Sequence, residues 1–233
     1  MKDFFEPFLY PHNLTLVGLM LACFCYRKKG LFVLLVFYYL AGNTFFANQL
    51  RHWYVSQVSS YAIAPGSVVV LLGCGGTEQG LTACAEARVQ HLATLLPKEG
   101  SSVVITSQHC KPYVDKLHSL VSNVAIDCFD GGENTYQEFT SLSQRKGLRP
   151  DYILSSDFHA WRVKQLVKQY RMPSQVLSVS SQTFRQIKCS ANCMLTVNLS
   201  NYDFYSKLIS EFSSFTVYSL TRSWTDWYTP DPA

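Results

Sequence analysis

The stretch "SVVVLLGCGG", Ser67 to Gly76, decides the fold. From Ser67 to Leu72 the residues are small, β-branched or leucine, too few for a helix and free of charge. That is the pattern of a strand buried on both faces of a parallel sheet. The glycines that follow, Gly73, Gly75 and Gly76, mark a tight turn out of the strand. Beyond the turn, Ala85, Val89, Leu92 and Leu96 recur at helical spacing within Leu81 to Leu96.

Outward from this unit the alternation repeats. "SVVIT" (102–106), "VAIDCF" (124–129), "DYILS" (151–155) and "QVLSV" (175–179) read as strands, with helical stretches near Tyr113 to Val121, Thr135 to Lys146 and His159 to Tyr170. Strands joined by helices of that length require right-handed crossovers. The expected fold class is therefore α/β, a Rossmann-like parallel sheet of about five strands with helices on both faces. Ser180 to Asn198 mixes strand-like and loop-like pieces, and Tyr205, Leu208, Ile209, Phe212 and Phe215 then make the stripe of a final helix.

Upstream of the sheet the character changes. No charged residue occurs from Phe8 to Tyr26, a span of 19, or from Gly30 to Leu50, a span of 21. At about 1.5 Å per helical residue each span matches a hydrocarbon core of about 30 Å, so a two-helix transmembrane hairpin is expected. A cleaved signal peptide is the alternative for the first span, but only Lys2 precedes it, against Asp3 and Glu6. "LMLAC", ending at Cys23, is weakly similar to a lipoprotein cleavage site, yet Leu21 fits poorly there. The basic turn Arg27 to Lys29 faces the cytoplasm by the positive-inside tendency, which puts both termini on the far side of the membrane. The expected layout is a hairpin anchor over 1–52, a linker over 53–65, the Rossmann-like domain over 66–222 and a tail over 223–233. That tail either lies at the membrane interface or is a loose terminus.

The formal net charge of +4 divides unevenly. Residues 1–51 hold Lys2, Arg27, Lys28, Lys29 and Arg51 against Asp3 and Glu6, which is 5 − 2 = +3 and leaves +1 for the rest. The basic excess belongs to topology, so no nucleic acid is expected as a partner. Of the eight cysteines, six follow the hairpin, at 74, 84, 110, 128, 189 and 193. An oxidising compartment would allow them to pair, and Cys189 with Cys193 is a candidate local bridge.

In an open parallel sheet, ligands bind outside the carboxyl ends of the strands, where helix N-termini offer free N–H groups. The special residues of this chain fall at such ends. The glycine turn permits a close backbone cradle for an anion, although a tight turn needs glycine with no ligand present. Arg88 lies on the apolar stripe of the first helix after the turn and reaches either over the sheet edge or out to solvent. In "ENTYQE", Thr135 and Glu138 have capping-box spacing and Asn134 is also a good cap, whereas capping does not explain Glu133. In "SSDFHAWRV", Ser156 or Asp157 caps a helix on which His159 and Arg162 are one turn apart. An arginine near a helix N-terminus is disfavoured by the dipole, so something negative should compensate it. A phosphate or carboxylate would do so, and the alternative is a surface pair without a role.

These pieces together resemble the YdcF, SanA and ElyC-like bacterial proteins, catalogued as domain-of-unknown-function 218. The likeness covers about Ser67 to Val179 and rests on "LGCGG", Arg88, "ENT" at 133–135 and "SSDFHAWRV". The hairpin is most similar to the ElyC branch. The resemblance implies a Rossmann-like domain on the periplasmic side of the inner membrane, acting in envelope integrity and peptidoglycan assembly, with polyprenyl lipid carriers as one ligand class. It supplies no reaction, and the cofactor is left unknown. The sequence departs at "ITSQHC", where Ser107 is kept but Gln108 and His109 replace the small glycine turn common in the family. Cys74, His109, Cys110 and His159 fall at strand ends of one pocket, where a soft metal is the less favoured reading beside a Cys74 to Cys110 disulfide or unrelated positions.

The expected function is an inner-membrane-anchored, periplasm-facing domain that binds a phosphate-bearing envelope precursor, lipid-linked or nucleotide-like. Its expected ligand-binding residues are Gly73, Gly75, Gly76, Arg88, Ser107, Asn134, Thr135, Ser156 and Arg162. If the chain is an enzyme, phosphoryl or pyrophosphoryl hydrolysis or transfer is the natural chemistry, with His159 as acid or base and Glu133 orienting a nucleophile. The rival is a non-catalytic sensor or scaffold for envelope-biogenesis proteins, its hairpin contacting partners in the bilayer.

Overall fold

The computed structural model describes residues 9–58, 62–97, 100–122, 124–189 and 191–228. Two compact units emerge, one built from Met1–Ser56 with Gln182–Ser210, the other from Gln57–Ser181 with Glu211–Ala233. The boundary differs from the expected layout, because 182–210 associates with the N-terminal helices and not with the sheet.

In the first unit, α1 (Pro11–Tyr26) and α2 (Lys29–Gly42) form a helical hairpin, though not one of the expected transmembrane length, and the Tyr38 hydroxyl donates to the His12 carbonyl at 3.0 Å. Arg27 ends α1 in the left-handed region at φ 49°. The second apolar span is not one helix. Asn43 stops α2 and starts α3 (Thr44–Ser56), its Oδ1 accepting from the amides of Phe45 and Phe46 at 3.0 and 3.3 Å. Its Nδ2 donates to the carbonyls of Cys193 and Met194, both at 3.1 Å. Among the described residues no helix is long and apolar enough to cross a membrane. At 16 and 14 residues, α1 and α2 are about 24 and 21 Å long.

Polar side chains hold 182–201 onto this hairpin. Asn13 pairs with both backbone groups of Val197 at 3.2 and 2.7 Å, and Asn201 donates to the Gly42 carbonyl at 2.7 Å. Arg51, expected to be a topological charge, is buried, donates to the Thr183 carbonyl at 3.1 Å and lies 4.5 Å over the Phe204 ring. The stretch read as a linker begins inside α3, where Tyr54 is fully buried, and 59–61 lie outside the described residues.

The second unit carries the sheet. Its strands are β1 (Val68–Leu72), β4 (Ser102–Thr106), β5 (Ala125–Phe129), β6 (Tyr152–Ser156) and β7 (Gln175–Val179), all parallel, in the order β5-β4-β1-β6-β7. A small antiparallel ribbon, β2 (Gly76–Thr77) with β3 (Gly80–Leu81), follows the glycine turn. Successive β1 residues face opposite layers, as the strand period requires. Val69 and Leu71 pack against α4 (Ala83–Leu95) and α5 (Cys110–Leu120). Val70 and Leu72 pack against α6 (Thr135–Gln144) and α7 (Asp157–Gln169). This is the Rossmann-like three-layer α/β arrangement, and the strand order reverses between β1 and β6.

The last helix, α8 (Ser200–Tyr228), has its first part in the first unit and its remainder in the second. The expected tail is helical as far as Tyr228, and 229–233 lie outside the described residues. The six cysteines after the hairpin form Cys74–Cys84, Cys110–Cys128 and Cys189–Cys193, leaving Cys23 and Cys25 free. The local bridge at 189–193 is present. Cys74 does not pair with Cys110, because Cys84 in the first turn of α4 is beside it, with 5.8 Å between the two Cα atoms.

Candidate functional site

At the carboxyl edge of the sheet, the turns after β1, β4 and β5 enclose a polar crevice of about 190 Å³. Of the residues expected from sequence, Gly73, Gly75, Gly76, Ser107, Glu133, Asn134 and Thr135 all line it, with Gln108, His109 and Glu138. Two glycines are there for geometric reasons. A Cβ at Gly73 would come 2.5 Å from the Thr106 carbonyl oxygen, and Gly75 has φ +73°, a left-handed conformation that side chains disfavour. Asn134 is the N-cap of α6, its Oδ1 accepting from Tyr136 and Gln137 at 3.1 and 3.0 Å. The N-cap of α5, His109, makes no side-chain capping bond.

Capping therefore falls to Asn134, and Glu138, expected as the distal half of a capping box, turns inward. Its Oε1 accepts from the Gly73 amide at 2.9 Å and the Thr106 hydroxyl at 2.6 Å. The Cys74 amide donates to the Tyr113 hydroxyl at 2.9 Å, and that hydroxyl donates to the Gly75 carbonyl at 2.8 Å. Two amides of the expected anion cradle are thus already engaged, one by an internal carboxyl. Burial pushes the Glu138 carboxyl above its ordinary range, against the pull of those donors and of Arg88 and Arg162.

Arg88 takes the first of its two expected paths and reaches the turn. It is 1 % exposed, and its Nη1 donates to the carbonyls of Leu72 and Gly73 at 2.8 and 2.7 Å. Its Nε donates to the Ser156 hydroxyl at 3.0 Å, so both residues brace the tips of β1 and β6. Burial pushes the guanidinium down to about 10, with Glu138 the main opposing influence. Asp157 accepts from the amides of Phe158 and Ser181, both at 2.8 Å, and Ser156 makes no capping bond of its own.

His159 and Arg162 stand beside the crevice and not among the residues lining it. Arg162 Nη2 donates to Thr135 Oγ1 at a long 3.5 Å, which links the two groups of residues. The negative partner that Arg162 requires is supplied by the chain itself. Glu211, from α8, places Oε1 2.8 Å from His159 Nδ1 and Oε2 3.2 Å from Arg162 Nε. The second contact is close enough for an ion pair but not aligned as a hydrogen bond, and both atoms are buried. Burial pushes the His159 imidazole below its ordinary value, and Glu211 opposes that.

Sequence reasoning missed both Glu138 and Glu211. The signal for Glu211 was present: it follows Leu208 by three residues and precedes Phe215 by four, on the apolar stripe of the final helix. Metal ligation by Cys74 and Cys110 is overturned, because both sulfurs are in disulfides. No group of three or more metal-ligating side chains occurs among the described residues. A larger hollow of about 270 Å³ lies beside Gln175 and Val176 at the start of β7, away from the strand tips.

Comparison with protein-family profiles finds no match, and no curated protein is significantly similar to the chain.

Proposed function

We propose that the sheet-bearing unit binds a phosphate-bearing envelope precursor, lipid-linked or nucleotide-like, in the crevice at the tips of β1, β4 and β5. The crevice itself carries this reading. It combines hydroxyls of Thr106, Ser107 and Thr135 with the N-termini of α5 and α6, and helix N-termini favour anionic groups. Glu133 and Glu138 also line the crevice and suit the hydroxyls of such a ligand. From its place beside the crevice, next to Arg162, which reaches Thr135, His159 acts as acid or base in phosphoryl or pyrophosphoryl chemistry on a ligand that extends past the lining, and Glu133 orients the nucleophile.

The same proposal places the protein in a bacterial inner membrane with the sheet in the periplasm. The resemblance to the YdcF, SanA and ElyC-like group supports that place and a role in peptidoglycan biogenesis. So does the hairpin surface, where Phe24, Phe32, Val33 and Phe37 are each more than 60 % exposed and call for an apolar covering. Helices this short span by local thinning of the bilayer. Three disulfides after the hairpin fit an oxidising compartment.

A non-catalytic sensor or scaffold is favoured by one specific observation. Both arginines are engaged internally, Arg88 with carbonyls and Arg162 with Glu211, and leave no arginine among the crevice-lining residues. Full-length protein purified from membranes in detergent separates the readings. Phosphorus NMR and mass spectrometry of retained molecules are expected to find a phosphorylated precursor, and His159→Ala should keep that ligand while abolishing its turnover. Retention of nothing that contains phosphorus would overturn the binding reading. Unchanged envelope complementation by His159→Ala would favour the scaffold, and a reporter fused after Ala233 that is active only in the cytoplasm would reverse the topology.

A further inference from the structure

His159, Arg162 and Glu211 set a hydrogen-bonding problem at a single atom. His159 Nδ1 is 2.8 Å from Glu211 Oε1 and 2.8 Å from Arg162 Nη2. An imidazole nitrogen has one in-plane position, occupied by a hydrogen or by a lone pair. With a lone pair at Nδ1 the guanidinium donates to it, but an ionised Glu211 then opposes oxygen lone pairs to it at hydrogen-bond distance. With a hydrogen at Nδ1, His159 donates to Glu211, and Arg162 attracts the same carboxylate from 3.2 Å. Arg162 and Glu211 stay 3.2 Å apart in both arrangements, but only the second gives the buried carboxylate a hydrogen bond from Nδ1 while leaving Arg162 Nη2 with Thr135 Oγ1 as an acceptor, whereas the first sets lone pair against lone pair.

We propose that Glu211 is a positioning residue, which fixes His159 as the Nδ1–H tautomer and leaves Nε2 as the basic nitrogen. The inference rests on the reading of His159 as the acid–base group of the proposed phosphoryl site and names the residue that prepares it. A hydroxyl or water attacking phosphorus gives its proton to Nε2 as the new P–O bond forms. The bond to the leaving oxygen breaks with its electron pair, and the proton then passes from Nε2 to that oxygen, restoring the neutral imidazole. Glu211 stabilises the transient imidazolium.

The carboxylate is held in place before any ligand arrives. Immediately after Glu211, the Phe212 ring sits 4.4 Å from Trp161, Phe215 sits 5.3 Å from the same indole, and Tyr218 stacks on Tyr136 at 5.3 Å. These contacts clamp α8 to α7 and α6 within the second unit. The imidazole keeps 24 % of its side-chain exposure although Nδ1 is engaged. The charged groups that act on it are Glu211 on α8, Arg162 on its own helix and Arg88 on α4.

Nitrogen-15 NMR of full-length protein labelled at histidine, in detergent, tests this without a substrate. His159 is expected to show a protonated Nδ1 and an unprotonated Nε2. Glu211→Gln should lower its titration midpoint, because the carboxylate that favours the imidazolium is gone and both arginines remain. Glu211→Ala should turn Nδ1 into an acceptor for Arg162 and move the proton to Nε2. An Nε2–H tautomer in the unmutated protein overturns the proposal even if neither variant folds, and so does a midpoint unchanged in Glu211→Gln. If that result is found while a phosphorylated molecule is still retained, the inference fails and the binding reading stands. The Nδ1–H tautomer with no phosphorylated molecule retained would instead uphold the positioning role of Glu211 and remove the binding reading.

Discussion

At the scale of single residues, the buried charges below the crevice show which effect dominates. Arg88 and Glu138 are each pushed toward the neutral form, the arginine down to about 10 and the carboxyl upward, and burial is the first cause of both shifts. Desolvation therefore outweighs the through-space attraction between these two charges, which share Gly73 as a partner without touching each other. What the pair contributes is geometry: Arg88 holds the carbonyls of Leu72 and Gly73 while Glu138 holds the Gly73 amide. Removing one partner strands the other. Arg88→Met should cost about 3–5 kcal/mol in urea unfolding and clearly less in a Glu138→Gln background, where no carboxylate is left alone. Equal costs in the two backgrounds would mean that the groups are not coupled. The pH dependence has a definite sign. A carboxyl raised in the fold binds more protons there than in the unfolded chain, from the ordinary value of 4.5 up to the raised one. Stability from this residue thus falls as pH rises through that window. Glu138→Gln should remove that slope from urea titrations run across the same range.

At the scale of elements, Asn43 decides where two helices part. It caps α3 and also donates to the carbonyls of Cys193 and Met194. Asn43→Ala loses a cap worth about 1 kcal/mol and takes the donor from the buried Cys193 carbonyl at about 1–3 kcal/mol, while the Met194 carbonyl keeps the Tyr39 hydroxyl. The expected result is a lower thermal midpoint and faster hydrogen exchange in Thr196 to Asn201; unchanged protection there would show that the segment is held by other means. The same residue explains what could be read beforehand. The five parallel strands were legible because each is a short run bounded by turns, rich in β-branched residues and leucine in β1 and β4 and more mixed in β5, and their helices because the apolar period shifts to 3.6. The break at Gly42-Asn43-Thr44 was hidden inside a run without charges, although glycine, asparagine and threonine are stop and cap residues. The β2–β3 ribbon is two residues per strand and leaves no period to detect. In the site, Gly73, Gly75, Gly76, Ser107 and Glu133 to Thr135 were legible from topology, since parallel strands bring their ends together, whereas Thr106 and Gly132 were not picked out. The partners of Glu138 and Glu211 were not legible, because they lie 65 and 52 residues away and only the folded sheet brings them within reach, although the place of Glu211 on an apolar stripe marked it as unusual.

At the scale of the whole molecule, the distribution of cysteines is the most direct statement the chain makes about its surroundings. Two cysteines within the first apolar helix stay free, and all six that follow the hairpin are paired. Two of the bridges brace the crevice: Cys74–Cys84 fixes the turn after β1, and Cys110–Cys128 ties the start of α5 to β5. The latter closes a separation of 18 residues, and constraint of that size stabilises by about 3 kcal/mol in the chain-entropy account. This arrangement predicts a count. Protein extracted from membranes, denatured without reductant and alkylated should gain two alkyl groups, at Cys23 and Cys25, and eight after reduction. The same chain without its first 28 residues, kept in a reducing cytoplasm, should gain six without reduction and unfold at lower urea. Eight groups on the unreduced membrane-extracted protein would mean that the sheet resides where thiols are kept reduced, and the proposed periplasmic placement would fall with the disulfides that support it.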